Sequence, residues 1–504
     1  MLIAPDGHQY PDQTICVWPF DRQFEDMFQP PSGQVGTEWP PLQMTYMGLY
    51  LDSLGCRTII HERHYIDRHY IDDFSLFYSR SLRDYPNYCQ RLHFFSSEFD
   101  ERKWCALVQR ANDDDREQVE QELATKYLGF MVIKPLPGSP IGRTVLRTYN
   151  RNASQGGLRS FATTRRYTVS LAGLSLSVNG LAFQQQDQGV SACATIALWS
   201  ALQRTAPAEG LASPTPAQIT ETASRYLLPG GRALPSEGLD ARQLSEAVRS
   251  TGLEPVVIRS ISPPEDRGHL STYLRSGLPV LLGIVPSGRN EAHAVCAVGL
   301  RFRAVQPQTN PNLNYRDGAT AVDRLYVHDD RLGPYASVRL KEFTVNGDVV
   351  TTLDLRWPDE RPVEESRLQT MLIPVPVKLR LSAVRLRALA HGIAQAVAVG
   401  VPAFGGLEVR TRFCKGAVYR AQAYGFNLSL AGIRAFTHET VLSRYVGLIE
   451  LVTSSGSVVD IVVDATETEP NPAVSAIVRR EGAAAAHARE LRIIARVLGA
   501  RAFT

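Results

Sequence analysis

Residues 181–204 read LAFQQQDQGVSACATIALWSALQR. The stretch changes character near Ser191. Upstream lie Gln184, Gln185, Gln186, Asp187 and Gln188, and downstream Ile196, Leu198 and Trp199 recur at helical spacing. The pattern predicts a helix that opens near Ser191 and places Cys193 in its first turn. A helix start offers unpaired N–H groups and partial positive charge, which favour thiolate over thiol. Ser191, Ala192 and Ala194 are small enough to leave room for a substrate carbonyl. A glutamine amide just upstream and the Cys193 N–H could together hold an oxyanion. Alone, a cysteine in an apolar helix is a buried structural residue. Cys193 gains meaning only with partners elsewhere in the chain.

Working outward, the first partner is His293, in Asn290-Glu-Ala-His-Ala-Val-Cys-Ala-Val-Gly299. It stands at the entrance of an apolar strand, where a base is held rigidly yet can face a cleft. The second lies in Tyr326-Val-His-Asp329-Asp330-Arg-Leu-Gly-Pro-Tyr335. There a strand ends in an acid that could accept from an imidazole and fix its tautomer. Each fragment has an ordinary explanation too: a solvent-facing strand end for the histidine, a capped turn for the aspartate. Their order along the chain is what points to chemistry.

That order, a glutamine, then cysteine at a helix start, histidine at a strand start and aspartate at a later strand end, resembles papain-like cysteine peptidases. It is most similar to the branch of bacterial double-glycine-leader (bacteriocin-processing) peptidases. Gln186-Asp-Gln188, Glu237-Gly-Leu239, Gly277-Leu-Pro-Val280, the HAV…VG strand and His328-Asp329 carry the likeness, over about residues 180–345. It implies an α+β papain-like central domain, with the cysteine helix packed on an antiparallel sheet that bears the histidine and acid. It implies Cys193 as nucleophile, His293 as base, Asp329 as orienting acid and Gln186 as oxyanion donor. The family usually places that glutamine six residues before the cysteine, which is Asp187 here. Gln186 and Gln188 therefore both remain candidates, with Gln186 favoured. Ala194 stands where the family commonly has glycine. Asp330 competes with Asp329, which is chosen as nearer the strand. The mechanism is thiol acyl chemistry with no metal or organic cofactor.

The remaining sequence frames this core. Its 504 residues suggest about three domains, set at 1–165, 166–345 and 346–504, the outer two mixed α/β. A net charge of +3 gives no field strong enough to argue for nucleic acid. Seven irregularly spaced cysteines read as reduced and intracellular. The N-terminus lacks a signal-peptide pattern, and no run of 18 apolar residues predicts a membrane span, so a cytoplasmic protein is expected. Patterning predicts helices at Leu42–Leu54, 113–126, 376–397 and Ala473–Leu498, and strands at Tyr127–Lys134, Leu442–Val452 and Ser457–Val463. The tandem pentapeptide RHYID (63–67 and 68–72) brings His64 and His69 near His61 in sequence, but their spacing matches no metal motif.

The function expected is a cysteine peptidase that cleaves a peptide or isopeptide bond in a protein or peptide substrate, in some cases a partner protein of the same bacterial system. The alternatives are a deamidase or transglutaminase-like acyl transferase using the same residues, or an inactive peptide-binding module.

Overall fold

The computed structural model describes residues 2–3, 9–10, 13–17, 27, 29, 41–152, 156–187, 189–190, 192–226, 238–289, 291–303, 314–345, 347–401, 406–454, 456–468, 472–482 and 488–503. Gln188, Ser191 and Glu237 lie outside them.

The first layer is a five-stranded antiparallel sheet, ordered Gln13–Val17, Thr58–Tyr65, Cys89–Phe95, Tyr127–Ile133 and Ile141–Leu146. The expected strand at 127–134 is thus present, and all seven of its residues are buried. Helix Leu42–Ser53 closes at Leu54, with Gly55 beyond it at positive φ, as the sequence suggests. The RHYID repeat does not repeat in structure. Arg63–Tyr65 ends a strand, whereas Arg68 opens helix Arg68–Leu76. Asp67 makes the difference: its carboxylate accepts from the His69 and Tyr70 N–H groups and caps the helix.

The central region departs from the expected architecture. The papain-like α+β domain, a cysteine helix on an open antiparallel sheet, is corrected to a closed barrel. Six antiparallel strands form it: Val280–Pro286, His293–Phe302, Val322–Asp329, Gly333–Val345, Asp348–Arg356 and Pro362–Pro376. The last pairs with both the first and the fifth, which closes the ring. The physical reason lies in 333–376, where sequence patterning assigns no strand. Three long strands there carry the sheet round until its last strand meets its first, and closure removes most of the exposed edges of an open sheet. The barrel therefore runs past residue 345 to Pro376. Strands Leu253–Arg259 and Leu158–Ser160 pair onto it from outside.

Beyond the barrel, helix Ala383–Gly400 packs on a six-stranded sheet whose central strands are Glu408–Lys415, Tyr445–Val452, Val458–Asp464 and Val474–Glu481. Two helix expectations shift here. The one over 376–397 begins later, at Ala383, because the barrel strand occupies the chain up to Pro376 and Ser382 caps the helix. The one over 473–498 splits into strand Val474–Glu481 and helix Ala488–Val497, since Val474, Ile477 and Val478 pair against 458–463. Among the described residues, no helix is long and apolar enough to cross a membrane.

Candidate active site

Cys193 is the first residue of the helix Cys193–Ala208, after an extended Ala192. The helix forms where alanines alternate with large apolar residues. Every residue from Ala194 to Gln203 is buried, with Trp199 among the largest side chains completely enclosed. Burying a side chain of this kind contributes about 1.5–3 kcal/mol. The helix packs on the strand His293–Phe302. A further tie comes from the first layer: Trp199 Nε1 donates to His69 Nδ1 at 3.2 Å. The helix is thus anchored on two sides, and Cys193 remains half-buried at its open end.

Antiparallel pairing supplies the next two groups. His293 begins one barrel strand, and Asp329 ends the strand beside it. The start of a strand lies next to the end of its antiparallel neighbour, so 36 residues of chain collapse to a contact. His293 Nε2 is 3.2 Å from Asp329 Oδ1 and 3.5 Å from Asp330 Oδ1. The Cys193 thiol lies within hydrogen-bonding reach of the same imidazole. Asp329 also accepts from the Arg331 backbone N–H at 3.0 Å and pairs with its guanidinium at 3.3 Å, and Arg331 in turn pairs with Glu364.

The electrostatics follow from burial and neighbours. Burial alone would push the imidazole down. The charge and hydrogen bond of Asp329, the Cys193 thiol and Asp330 outweigh it and raise His293 to about 10. Burial also opposes ionisation of Asp329, yet His293 and Arg331 hold it below the usual carboxylate range. For Asp330, burial raises the pKa; His293 pulls it down, but the charge of Asp329 adds to the rise, and it reaches about 7. Its Oδ2 is buried with no hydrogen-bond partner among the described residues. At neutral pH the imidazole is protonated, with one carboxylate firmly anionic against it.

These groups open onto a cleft of about 340 Å³, lined by Gln186, Ala192, Cys193, Pro286, His293 and Arg331 among others. Gln186 is half-buried and shares the cleft with thiol and imidazole. Asp187, at the family's usual glutamine position, is spent differently. Its Oδ1 accepts from the Gly189 and Val190 N–H groups at 2.9 and 2.7 Å. A larger cavity, about 1030 Å³, lies around Tyr149, Arg159 and Arg410, and neither cysteine nor histidine lines it.

Sequence reasoning missed Arg331, although it follows the acid pair directly, because its role depends on Glu364 from a different strand. Arg289 and Glu291, which also line the cleft, carried no signal of their own. The sequence-adjacent histidines are drawn apart: His61 meets Gln90 at 3.0 Å, His64 stacks on Tyr88, and His69 accepts from Trp199. Among the described residues, the one group whose donor atoms gather closely enough for a cation is His293, Asp329 and Asp330, within 4.8 Å of one another. Their closeness has another explanation in the imidazolium and Arg331, which balance the carboxylate charge.

No protein-family model matches this chain, and no curated protein sequence matches it.

Proposed function

We propose that this protein is a thiol hydrolase, a cysteine peptidase that cleaves a peptide or isopeptide bond through Cys193, His293 and Asp329, with Gln186 as oxyanion donor. The observation that carries the proposal is one imidazole with the thiol within reach and a buried carboxylate 3.2 Å from Nε2. The proposal concerns the chemistry that the resemblance implies and not its fold.

Cys193 Sγ adds to the carbonyl carbon, and the Gln186 amide and Cys193 N–H receive the oxyanion. The imidazolium then gives its proton to the leaving amine as the C–N bond breaks. The imidazole left neutral takes a proton from water, whose oxygen attacks the thioester and releases the acid. Asp329 fixes the ring and stabilises its charged form, and Arg331 keeps Asp329 anionic. Transfer of the acyl group to an amine instead of water would use the same thioester.

The test is product identification. Bacterial lysate proteins are incubated with wild-type protein or with Cys193→Ala, and new peptide termini or mass shifts are read by mass spectrometry. Hydrolysis predicts new termini in the wild-type sample alone. Shifts without new termini would favour deamidation or transfer. Identical samples would contradict the proposal.

A further inference from the structure

The groups of this site come from two structural units. Cys193, His293 and Asp329 belong to the barrel and the helix on it. The segment carrying Gln186 hydrogen-bonds along the edge of the N-terminal sheet. Phe183 and Thr144 exchange both backbone hydrogen bonds at 2.8 Å, and the Gln185 N–H donates to the Ile141 carbonyl at 3.0 Å. The Gln185 side chain also accepts from the Ile141 N–H at 3.3 Å. Residues 183–185 thus continue that sheet beyond its last strand.

Two residues further, the attachment becomes ionic. Lys134 follows the strand Tyr127–Ile133, and its Nζ lies 3.6 Å from Asp187 Oδ2, with side-chain exposures of 2% and 1%. Asp187 is adjacent to Gln186, and its other oxygen ties the turn to Val190. The N-terminal layer also presses on this turn from outside. A Cβ on Gly189 would sit 2.8 Å from both Phe77 and the Tyr78 hydroxyl, so any side chain there would have to displace them. The acid turn is gripped by the same layer. Gln43 donates to the Asp330 carbonyl at 3.1 Å, and Tyr46 to the Pro334 carbonyl at 2.8 Å. A buried ion pair is costly to assemble and costly to break by halves, which makes it suited to fixing register.

We infer that the N-terminal sheet is the scaffold of the oxyanion donor, and that the Lys134–Asp187 pair is a latch holding Gln186 in place beside Cys193. Lys134 and Asp187 are positioning residues, since they act through Gln186. The inference rests on the thiol-hydrolase reading above. It adds that the catalytic unit spans both the sheet and the barrel.

Two reactions of the full-length protein separate this role from a merely structural one. Alkylation of Cys193 by iodoacetamide forms an S–C bond, releases iodide and develops no oxyanion. Acylation by p-nitrophenyl acetate passes through an oxyanion. There the S–C bond forms, the C–O bond breaks, p-nitrophenolate leaves, and the thiol proton stays on His293. The double variant Lys134→Met/Asp187→Asn removes both charges yet keeps an oxygen to accept from Gly189 and Val190, which guards the fold. It should be acylated about tenfold or more slowly than wild type, as should Gln186→Ala, with alkylation within about twofold. Lys134→Arg, which keeps the charge, should recover most of the acylation rate. Acylation at the wild-type rate in the double variant, or equal loss of both reactions, would overturn the latch and leave the thiol chemistry standing. A wild-type protein that p-nitrophenyl acetate does not acylate at Cys193 would overturn both.

Discussion

Two buried acid pairs in this molecule look alike electrostatically and differ in what surrounds them. In the barrel, Asp329 is held anionic and Asp330 is raised to about 7. In the C-terminal sheet, Glu450 is held well below the usual carboxylate range, while burial and the Glu450 charge raise Asp460 to about 6. The second pair is surrounded by permanent cations. Arg275, Arg412 and Arg480 all reach Glu450, and the Tyr419 hydroxyl donates to Asp460 at 2.8 Å. The first pair instead faces a titratable imidazole with a thiol beside it, and a cleft leads in from solvent. Perturbed ionisation marks both places, but the thiols beside them differ in partner: Cys414 hydrogen-bonds the Arg412 guanidinium, whereas Cys193 meets an imidazole that can take up and give back a proton. The arginine-rich pair ties the helix Pro263–Arg275 to the C-terminal sheet and reads as structural.

The sharpest way to break this contrast is to open the structural pair. Glu450→Ala leaves three arginines without their shared carboxylate in a buried site and should cost about 3–5 kcal/mol of stability. Thermal denaturation would show it, and alkylation of Cys193 below the transition should keep its wild-type rate. A change in Cys193 reactivity of tenfold or more, with stability intact, would mean that the two pairs are coupled.

A smaller effect tests the barrel pair. The ordinary value for Asp330 is 3.8 and the folded value is about 7. Between about pH 4 and pH 7 the folded protein therefore holds a proton that the unfolded chain has lost. Stability falls as pH rises through that window and stays lower above it. Asp330→Asn removes this penalty, so it should stabilise the protein at pH 8 by about 1–3 kcal/mol and change it little at pH 4. Denaturant unfolding at the two pH values measures the difference. Equal destabilisation at both would show that Asp330 is charged and well satisfied in the folded state.

The grouping of Cys193, His293 and Asp329 was more legible in the sequence than the fold. Cys193, His293 and Asp329 were readable because each sits at an element boundary, where periodicity changes and short motifs stand out. The sequence favours Asp329 only as the residue nearer the strand; the structure adds distances of 3.2 Å for Asp329 and 3.5 Å for Asp330 from the imidazole, with Arg331 bound to the first. The barrel was not legible. Its closure depends on Pro362–Pro376 pairing with strands on both sides, a long-range register that local alternation cannot encode. The helix expected across 473–498 is interrupted because Val474, Ile477 and Val478 pair with the strand Val458–Asp464, which outweighs the helix-favouring alanine and arginine content. The pairing of Asp187 with Lys134 was hidden because Lys134 lies more than fifty residues upstream in another layer.

The most direct test of the central claim is the rate of Cys193 alkylation by iodoacetamide at pH 6 in wild type and in His293→Ala, with the labelled residue confirmed by mass spectrometry. The thiol and the imidazole are within hydrogen-bonding reach, and Asp329 and Asp330 raise His293 to about 10, so the ring faces the sulfur as a cation at pH 6. Wild-type Cys193 should therefore react at least about tenfold faster than the variant at pH 6. Equal rates in the two proteins would mean that imidazole and thiol do not act together, and the account would fail.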